Sequence, residues 1–174
     1  MTVGNTVESL LAKQDIYELS CIYMRGLDRT DATLLRSVFF DDAYCEYGFI
    51  NGSADDFVSY AITALQEHQS NQHMIGNVLI EVEGDEAFGE VYFRAYHKVM
   101  VEEVYYDIVI AGRYLDRYEQ REGVWKMAYR SEIVDWSRTD PTNDPYFQQA
   151  PDSLFGSRLD DAVYDREARR KQLP

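Results

Sequence analysis

Two residues far apart in the chain, Asp28 and His73, carry side chains suited to acid–base chemistry. Asp28 follows the predicted first helix, and Thr30 and Asp31 are better placed to cap the next one, so its carboxylate has no local task. His73 is one of three histidines and begins a run rich in Val, Ile and Leu. A carboxylate bonded to one imidazole nitrogen fixes the tautomer and makes the other nitrogen a better base. The alternative interpretation is a solvated loop aspartate and a structural histidine.

Two further polar residues lie on predicted strands. In an unbroken strand His73 and Asn77 share one face, which suits a pocket with a few polar groups. Arg130 lies on the last predicted strand and shares a face with Glu132. A strand arginine can stabilise a departing anion or a substrate carboxylate. The alternative for Arg130 is an ion pair with Glu132 or Asp28.

Tyr23 is a candidate hydrogen-bond donor to a leaving hydroxyl or a substrate carbonyl, with a core tyrosine as the alternative. It stands five residues before Asp28, about 140° away around a straight helix. We therefore predict that the helix stops near Gly26, because Tyr23 and Asp28 could then reach one cavity.

Helical spacing predicts helices over 5–27, 31–39 and 54–68, with a short strand inside 43–50. Four β-rich runs follow, over 73–83, 87–101, 104–120 and 124–137, and their short turns favour antiparallel pairing. The predicted class is α+β. We expect one domain over 1–137 and a polar, extended tail over 138–174, in which 157–171 form a surface helix or lack order.

Bulk properties narrow the possible partners and location. The net charge of −14 disfavours nucleic acid and anionic membrane surfaces. The two cysteines, Cys21 and Cys45, make no disulfide framework and no zinc motif, so we expect a cytoplasmic protein without a bound metal. Fourteen tyrosines suit a pocket with apolar walls and a few hydroxyls.

Three motifs resemble the SnoaL-like branch of the nuclear transport factor 2-like superfamily. They are Tyr-Met-Arg-Gly-Leu-Asp at 23–28, His-Met-Ile-Gly-Asn at 73–77, and the longer pattern across 112–130. The resemblance implies a cystatin-like α+β cone, in which a curved antiparallel sheet wraps the N-terminal helices and encloses a pocket. Within this superfamily the chain is most similar to the lyases, which include scytalone dehydratase, hexachlorocyclohexane dehydrochlorinase and bile-acid dehydratase.

The resemblance also implies roles for individual residues. Asp28 and His73 fall at the positions of a His–Asp dyad that acts as the base. Tyr23 and Tyr47 match two tyrosines of the bile-acid enzyme, and Arg130 resembles the pocket arginine of the dehydrochlorinase. The second histidine of scytalone dehydratase has no clear match, which leaves His97 or Lys98 to be considered.

The implied function is a cofactor-independent lyase of the dehydratase type that acts on a small or medium, apolar, cyclic molecule. Asn77 and Tyr47 are the expected substrate-binding residues, beside His73, Asp28, Tyr23 and Arg130 as catalytic ones. The alternatives are a steroid or polyketide isomerase or cyclase, the small subunit of a ring-hydroxylating dioxygenase, and a plain binding module. Family members are often dimers or trimers, so we expect a homo-oligomer.

Overall fold

The computed structural model describes residues 6–170 of the chain. Residues 1–5 and 171–174, at the ends of the predicted domain and tail, lie outside the described part. The helices are α1 (Val7–Asp28), α2 (Ala32–Ser37), α3 (Ala54–Gln66) and the short α4 (Tyr146–Gln149). The strands are β1 (Phe39–Glu46), β2 (Asn51–Ser53), β3 (Ser70–Glu83), β4 (Glu86–Val101), β5 (Val104–Arg121) and β6 (Val124–Pro141).

The described strands form one curved sheet in the order β2-β1-β6-β5-β4-β3. The four long strands pair antiparallel through short turns, which confirms the α+β prediction. The pairing of β1 with β6 is parallel, so the sheet is mixed rather than wholly antiparallel. Parallel pairing is possible there because α3 and four strands, β2 to β5, separate β1 from β6 along the chain.

The helix α1 runs to Asp28, one residue beyond the predicted range 5–27, so Asp28 still lies on the helix rather than after it. Gly26 allows close helix packing: a Cβ there would lie 2.8 Å from the Leu35 Cα of α2. The helix ends two residues later, where the Asp31 N–H donates to the Gly26 carbonyl and the Thr30 N–H to the Leu27 carbonyl. Thr30 has a φ of 50°, the left-handed conformation that such a helix end requires.

The core lies between the helices and one face of the sheet. Helix α1 contributes Ile16, Tyr23 and Leu27, and α3 contributes Phe57 and Leu65, all of them buried. The helix α3 begins at a capping box in which the Ser53 and Asp56 side chains each bond the other's backbone N–H. Buried sheet residues face these helices: Val91, Phe93, Tyr114, Tyr118, Trp125 and Met127. No helix among residues 6–170 is long and apolar enough to cross a bilayer.

The predicted tail begins inside β6, which continues to Pro141. Beyond α4, the described part of 157–171 contains two short 3-10 turns, Ala162–Tyr164 and Ala168–Arg170, in place of the predicted surface helix. This segment packs against the α1–α2 junction, where Tyr164 donates a hydrogen bond to Asp31 over 2.9 Å. The tail is therefore attached next to the candidate residue Asp28.

Candidate active site

Asp28 and His73 are in direct contact. The Asp28 Oδ1 atom lies 2.7 Å from His73 Nδ1. The His73 backbone N–H donates to both carboxylate oxygens, over 2.9 and 3.1 Å. Both side chains are largely buried, at 6% exposure for His73 and 14% for Asp28. Because the carboxylate accepts the Nδ1 proton, the second nitrogen Nε2 is left as the basic one, and it has no partner among the described residues.

The end of α1 explains why this carboxylate is available. Asp31 caps α2, its side chain accepting from the Leu34 N–H over 2.9 Å, so Asp28 is not needed as a cap. Arg158 in the tail donates to the Asp28 carbonyl over 3.1 Å and to the His68 carbonyl over 2.8 Å. The tail thereby holds the backbone at the ends of α1 and α3, on either side of the pair.

His73 lines a cavity of about 320 Å³, whereas Asp28 lies behind it and does not. The expectation that Tyr23 and Asp28 share one cavity is therefore wrong: Tyr23 reaches the cavity itself, and Asp28 acts on it only through His73. The walls are mostly aromatic and aliphatic, formed by Tyr23, Leu27, Tyr47, Phe49, Phe57, Tyr60, Ala61, Ala64, Leu65, Phe93, Ala95, Ile108, Ile110 and Tyr114. The other polar lining residues are His68, His97 and Glu132.

Tyr23 and Tyr47 meet at the cavity wall, with their hydroxyl oxygens 2.7 Å apart. Tyr47 stacks on Phe57 with ring centroids 4.3 Å apart. Burial raises the pKa of both hydroxyls above the ordinary value. The pair is therefore suited to donating hydrogen bonds and poorly suited to releasing protons.

A second histidine, His97, also opens on the cavity, with its ring centroid 5.1 Å from that of His73. The Asn71 Oδ1 atom accepts from His97 Nδ1 over 3.0 Å and from His68 Nδ1 over 2.8 Å. The orientation of the Asn71 amide is set by its own donation to the Leu65 carbonyl. Burial, with smaller contributions from His73 and His68, lowers the pKa of His97 to about 3, so its ring is neutral.

Arg130 is not available to a substrate. Its guanidinium binds Asp116 through two hydrogen bonds of 2.7 Å, and both side chains are 0% exposed. The guanidinium lies between the rings of Tyr23 and Tyr114, 4.2 and 4.1 Å from their centroids. The predicted alternative, an ion pair with Glu132 or Asp28, named the wrong carboxylates. Arg130 does not line the cavity, and its contacts support the cavity wall from behind.

Asn77 is also outside the cavity. Gly76 and Asn77 together stand opposite the single residue Tyr92, which makes a bulge in β3. The extra residue reverses the alternation, so Asn77 is exposed while Val78 turns inward. The predicted shared face of His73 and Asn77 is therefore wrong, because it assumed an unbroken strand.

Sequence reasoning passed over Glu132 as a site residue. A bulge at Ala128 shifts β6 by one residue, after which Arg130 and Glu132 face inward and Glu132 pairs with Tyr114 of β5. Burial raises the pKa of the Glu132 carboxyl to about 7, although the charge of Arg130 lowers it in part. Its position two residues after an inward arginine was the available signal.

No group of three or more His, Cys, Asp or Glu among residues 6–170 could hold a metal ion.

A comparison with protein families matches residues 8–131 to the SnoaL-like domain. The chain belongs to this family. No curated protein matches the chain in sequence.

Solved structures show the same fold at low identity. The dehydrochlorinase LinA-type3 of Novosphingobium barchaimii is 21% identical, with a TM-score of 0.69 over 78% of this chain and 93% of its own. A candidate scytalone dehydratase of Novosphingobium aromaticivorans is 18% identical, with a TM-score of 0.66 over 88% and 97%. The Kfla4162 protein of Kribbella flavida is 15% identical, with a TM-score of 0.68 over 75% and 95%.

Proposed function

We propose that this SnoaL-like protein is a cofactor-independent lyase of the dehydratase type. The observation that carries the proposal is a histidine bound to a carboxylate through one nitrogen, in the wall of an apolar cavity. His73 acts as the base and removes a proton from a carbon next to a carbonyl. Asp28 stabilises the imidazolium that forms, which is the role of the carboxylate in such pairs.

The cavity supports a small or medium cyclic substrate. Its volume of about 320 Å³ falls at the lower end of the range of ligand pockets. The aromatic walls favour a flat, largely apolar ring, and the Tyr23–Tyr47 pair offers a hydrogen bond to an enolate oxygen. Two of the similar structures are named as a dehydrochlorinase and a candidate dehydratase, and both names describe eliminations.

The test is loss of water from a panel of cyclic β-hydroxy ketones, followed by absorbance of the conjugated enone and by product mass. We expect His73→Ala to lower kcat by about 10²- to 10⁴-fold, the usual contribution of a general base. Asp28→Asn should cause a loss of similar kind, because an amide donor favours the wrong tautomer of His73. Asp15→Asn, an exposed position on the same helix, is the matched control.

Wild-type turnover in both site variants would rule out the dyad as the base. A product of unchanged mass would instead indicate an isomerase, which the same base could also support. An assembly of two or three copies and a cytoplasmic location remain predictions. The exposed apolar side chains of the sheet are typical of an interface: Tyr92, Leu115, Ile133, Val134 and Trp136.

A further inference from the structure

Among residues 6–170, Glu132 is the one carboxyl group that lines the 320 Å³ cavity described above. It lies on β6 opposite Tyr114, and its side chain makes no hydrogen bond or ion pair with another described residue. The two other inward carboxylates differ from it in this respect: Asp28 binds His73, and Asp116 binds Arg130. The Glu132 carboxyl is half-buried, and a carboxyl that is partly removed from water and has no partner is costly as an anion, which favours its protonated form.

The surroundings of Glu132 offer little to stabilise a negative charge. The cation on its own strand, Arg130, is bound to Asp116 through Nε and Nη2, and its buried Nη1 makes no hydrogen bond to Glu132 or to any other described residue. Desolvation outweighs the attraction of Arg130, and the pKa of about 7 follows from that balance. The titratable and charged groups around the cavity come from every element that forms it: Tyr23 on α1, Tyr47 after β1, Tyr60 on α3, His68 after α3, His73 on β3, His97 on β4, Tyr114 on β5 and Arg130 on β6.

We propose that Glu132 is the acid of this site, a protonated carboxyl that hydrogen-bonds a substrate oxygen and delivers its proton to the leaving hydroxyl. The proposal rests on the elimination proposed above and names a second catalytic residue for it. A dehydration needs both a base for the carbon and an acid for the oxygen. The two tyrosines are weak candidates for the acid because their pKa values are raised by burial. A carboxyl that titrates near neutrality suits the task better.

The step balances without an added reactant. His73 takes the proton from carbon, and the C–H electron pair becomes the second bond of the alkene. The C–O bond breaks, and the departing oxygen takes the Glu132 proton and leaves as water. The site then holds an imidazolium and a carboxylate, and one proton returns from His73 to Glu132 through solvent before the next turnover.

The first test needs no turnover. Binding of 1-methoxytetralin, a cyclic ether whose oxygen stands in for the leaving oxygen and can only accept a hydrogen bond, is measured by calorimetry from about pH 5 to about pH 9, across the titration of Glu132. We expect wild-type affinity to fall about five- to tenfold as the pH rises, the size of one lost hydrogen bond. Glu132→Gln keeps a donor at every pH, so its affinity should stay high and flat. The affinity of Glu132→Leu should not depend on pH and should be as weak as that of the wild type at high pH.

The same variants separate Glu132 from the histidines. A wild-type pH dependence that persists in Glu132→Gln would belong to another group of the protein and would overturn the proposal. A flat wild-type profile, including one without measurable binding at any pH, would also overturn it. Glu81→Gln removes the same charge from an exposed position of β3 and should behave as the wild type.

The second readout is turnover of the β-hydroxy ketones. Glu132→Gln should lower kcat at least tenfold with little change in KM, because its amide can bind the oxygen but cannot deliver a proton. Full turnover in Glu132→Gln contradicts the acid role alone. Full turnover in His73→Ala contradicts the dyad alone, and the ether-binding profile remains a separate test of Glu132.

Discussion

Asp28 and Asp116 are both interior carboxylates bound to a basic side chain, but their partners differ in enclosure and in access to the cavity. Asp116 receives two hydrogen bonds from Arg130 and one from Tyr118, and both members of the ion pair are fully buried. Asp28 receives the ring and the backbone N–H of His73, whose remaining nitrogen has no partner in the described chain. His73 lines the cavity and Arg130 does not.

The difference separates a structural pair from one that can do chemistry. A fully enclosed ion pair is committed to its own partners, and removal of one member leaves the other as an uncompensated buried charge. A pair with one unbound basic nitrogen at a cavity wall can accept a proton from a bound molecule. We therefore expect Asp116→Asn to act mainly on stability and Asp28→Asn to act mainly on activity.

The largest stability effect is expected at the enclosed pair. Asp116→Asn leaves Arg130 as a buried cation with one weak acceptor, which should lower the free energy of unfolding by about 3–5 kcal/mol. Urea unfolding with linear extrapolation measures the change. The double variant Asp116→Leu with Arg130→Met removes both charges and should recover most of the loss. A loss below about 1 kcal/mol in Asp116→Asn would contradict the structural role.

The enclosed pair also shows why part of the site escaped prediction. Counting back from the turn at Glu122 and Gly123 places Asp116 opposite Tyr129 in a regular hairpin. The bulge at Ala128 moves the register by one residue and brings Asp116 opposite Arg130. Nothing in the local sequence marks that bulge, so the pairing of Asp116 with Arg130 could not be predicted from alternation, whereas the shared face of Arg130 and Glu132 could.

The bulge in β3 had the same effect on Asn77, because one extra residue sends every later side chain to the other face. Helix spacing, turns and caps are local and strong, so the α+β order and the Asp31 cap were predictable. The Asp28–His73 contact joins residues 45 positions apart. The residues alone made it possible, and only the family resemblance made it an expectation.

An effect of intermediate size on stability is expected at acidic pH, and it arises at His97, which lines the cavity beside His73. His97 has a pKa of about 3 in the folded chain, below the ordinary 6.5, because of burial. Between these values the unfolded chain binds a proton that the folded chain does not, so stability is present above pH 6.5 and is lost as the pH falls. The slope is about 1.4 kcal/mol per pH unit for one proton.

Urea unfolding at several pH values measures this slope, and His97→Gln should reduce it by about one proton. The glutamine keeps a donor for Asn71, so stability near neutral pH should change little. An acid slope that is unchanged in His97→Gln would show that another group takes up the proton.

The smallest stability effect is expected for Asp28→Asn, and it decides whether the open pair is free to serve chemistry. Asparagine keeps an acceptor oxygen for the His73 backbone N–H, and Asp28 stays partly exposed, so unfolding should become easier by only about 1 kcal/mol. The same protein should lose most of its turnover. A loss as large as that of Asp116→Asn would mean that both carboxylates hold the fold together. In that case the contact between Asp28 and His73 would serve to hold the fold together, and the unbound nitrogen of His73 would not argue for catalysis.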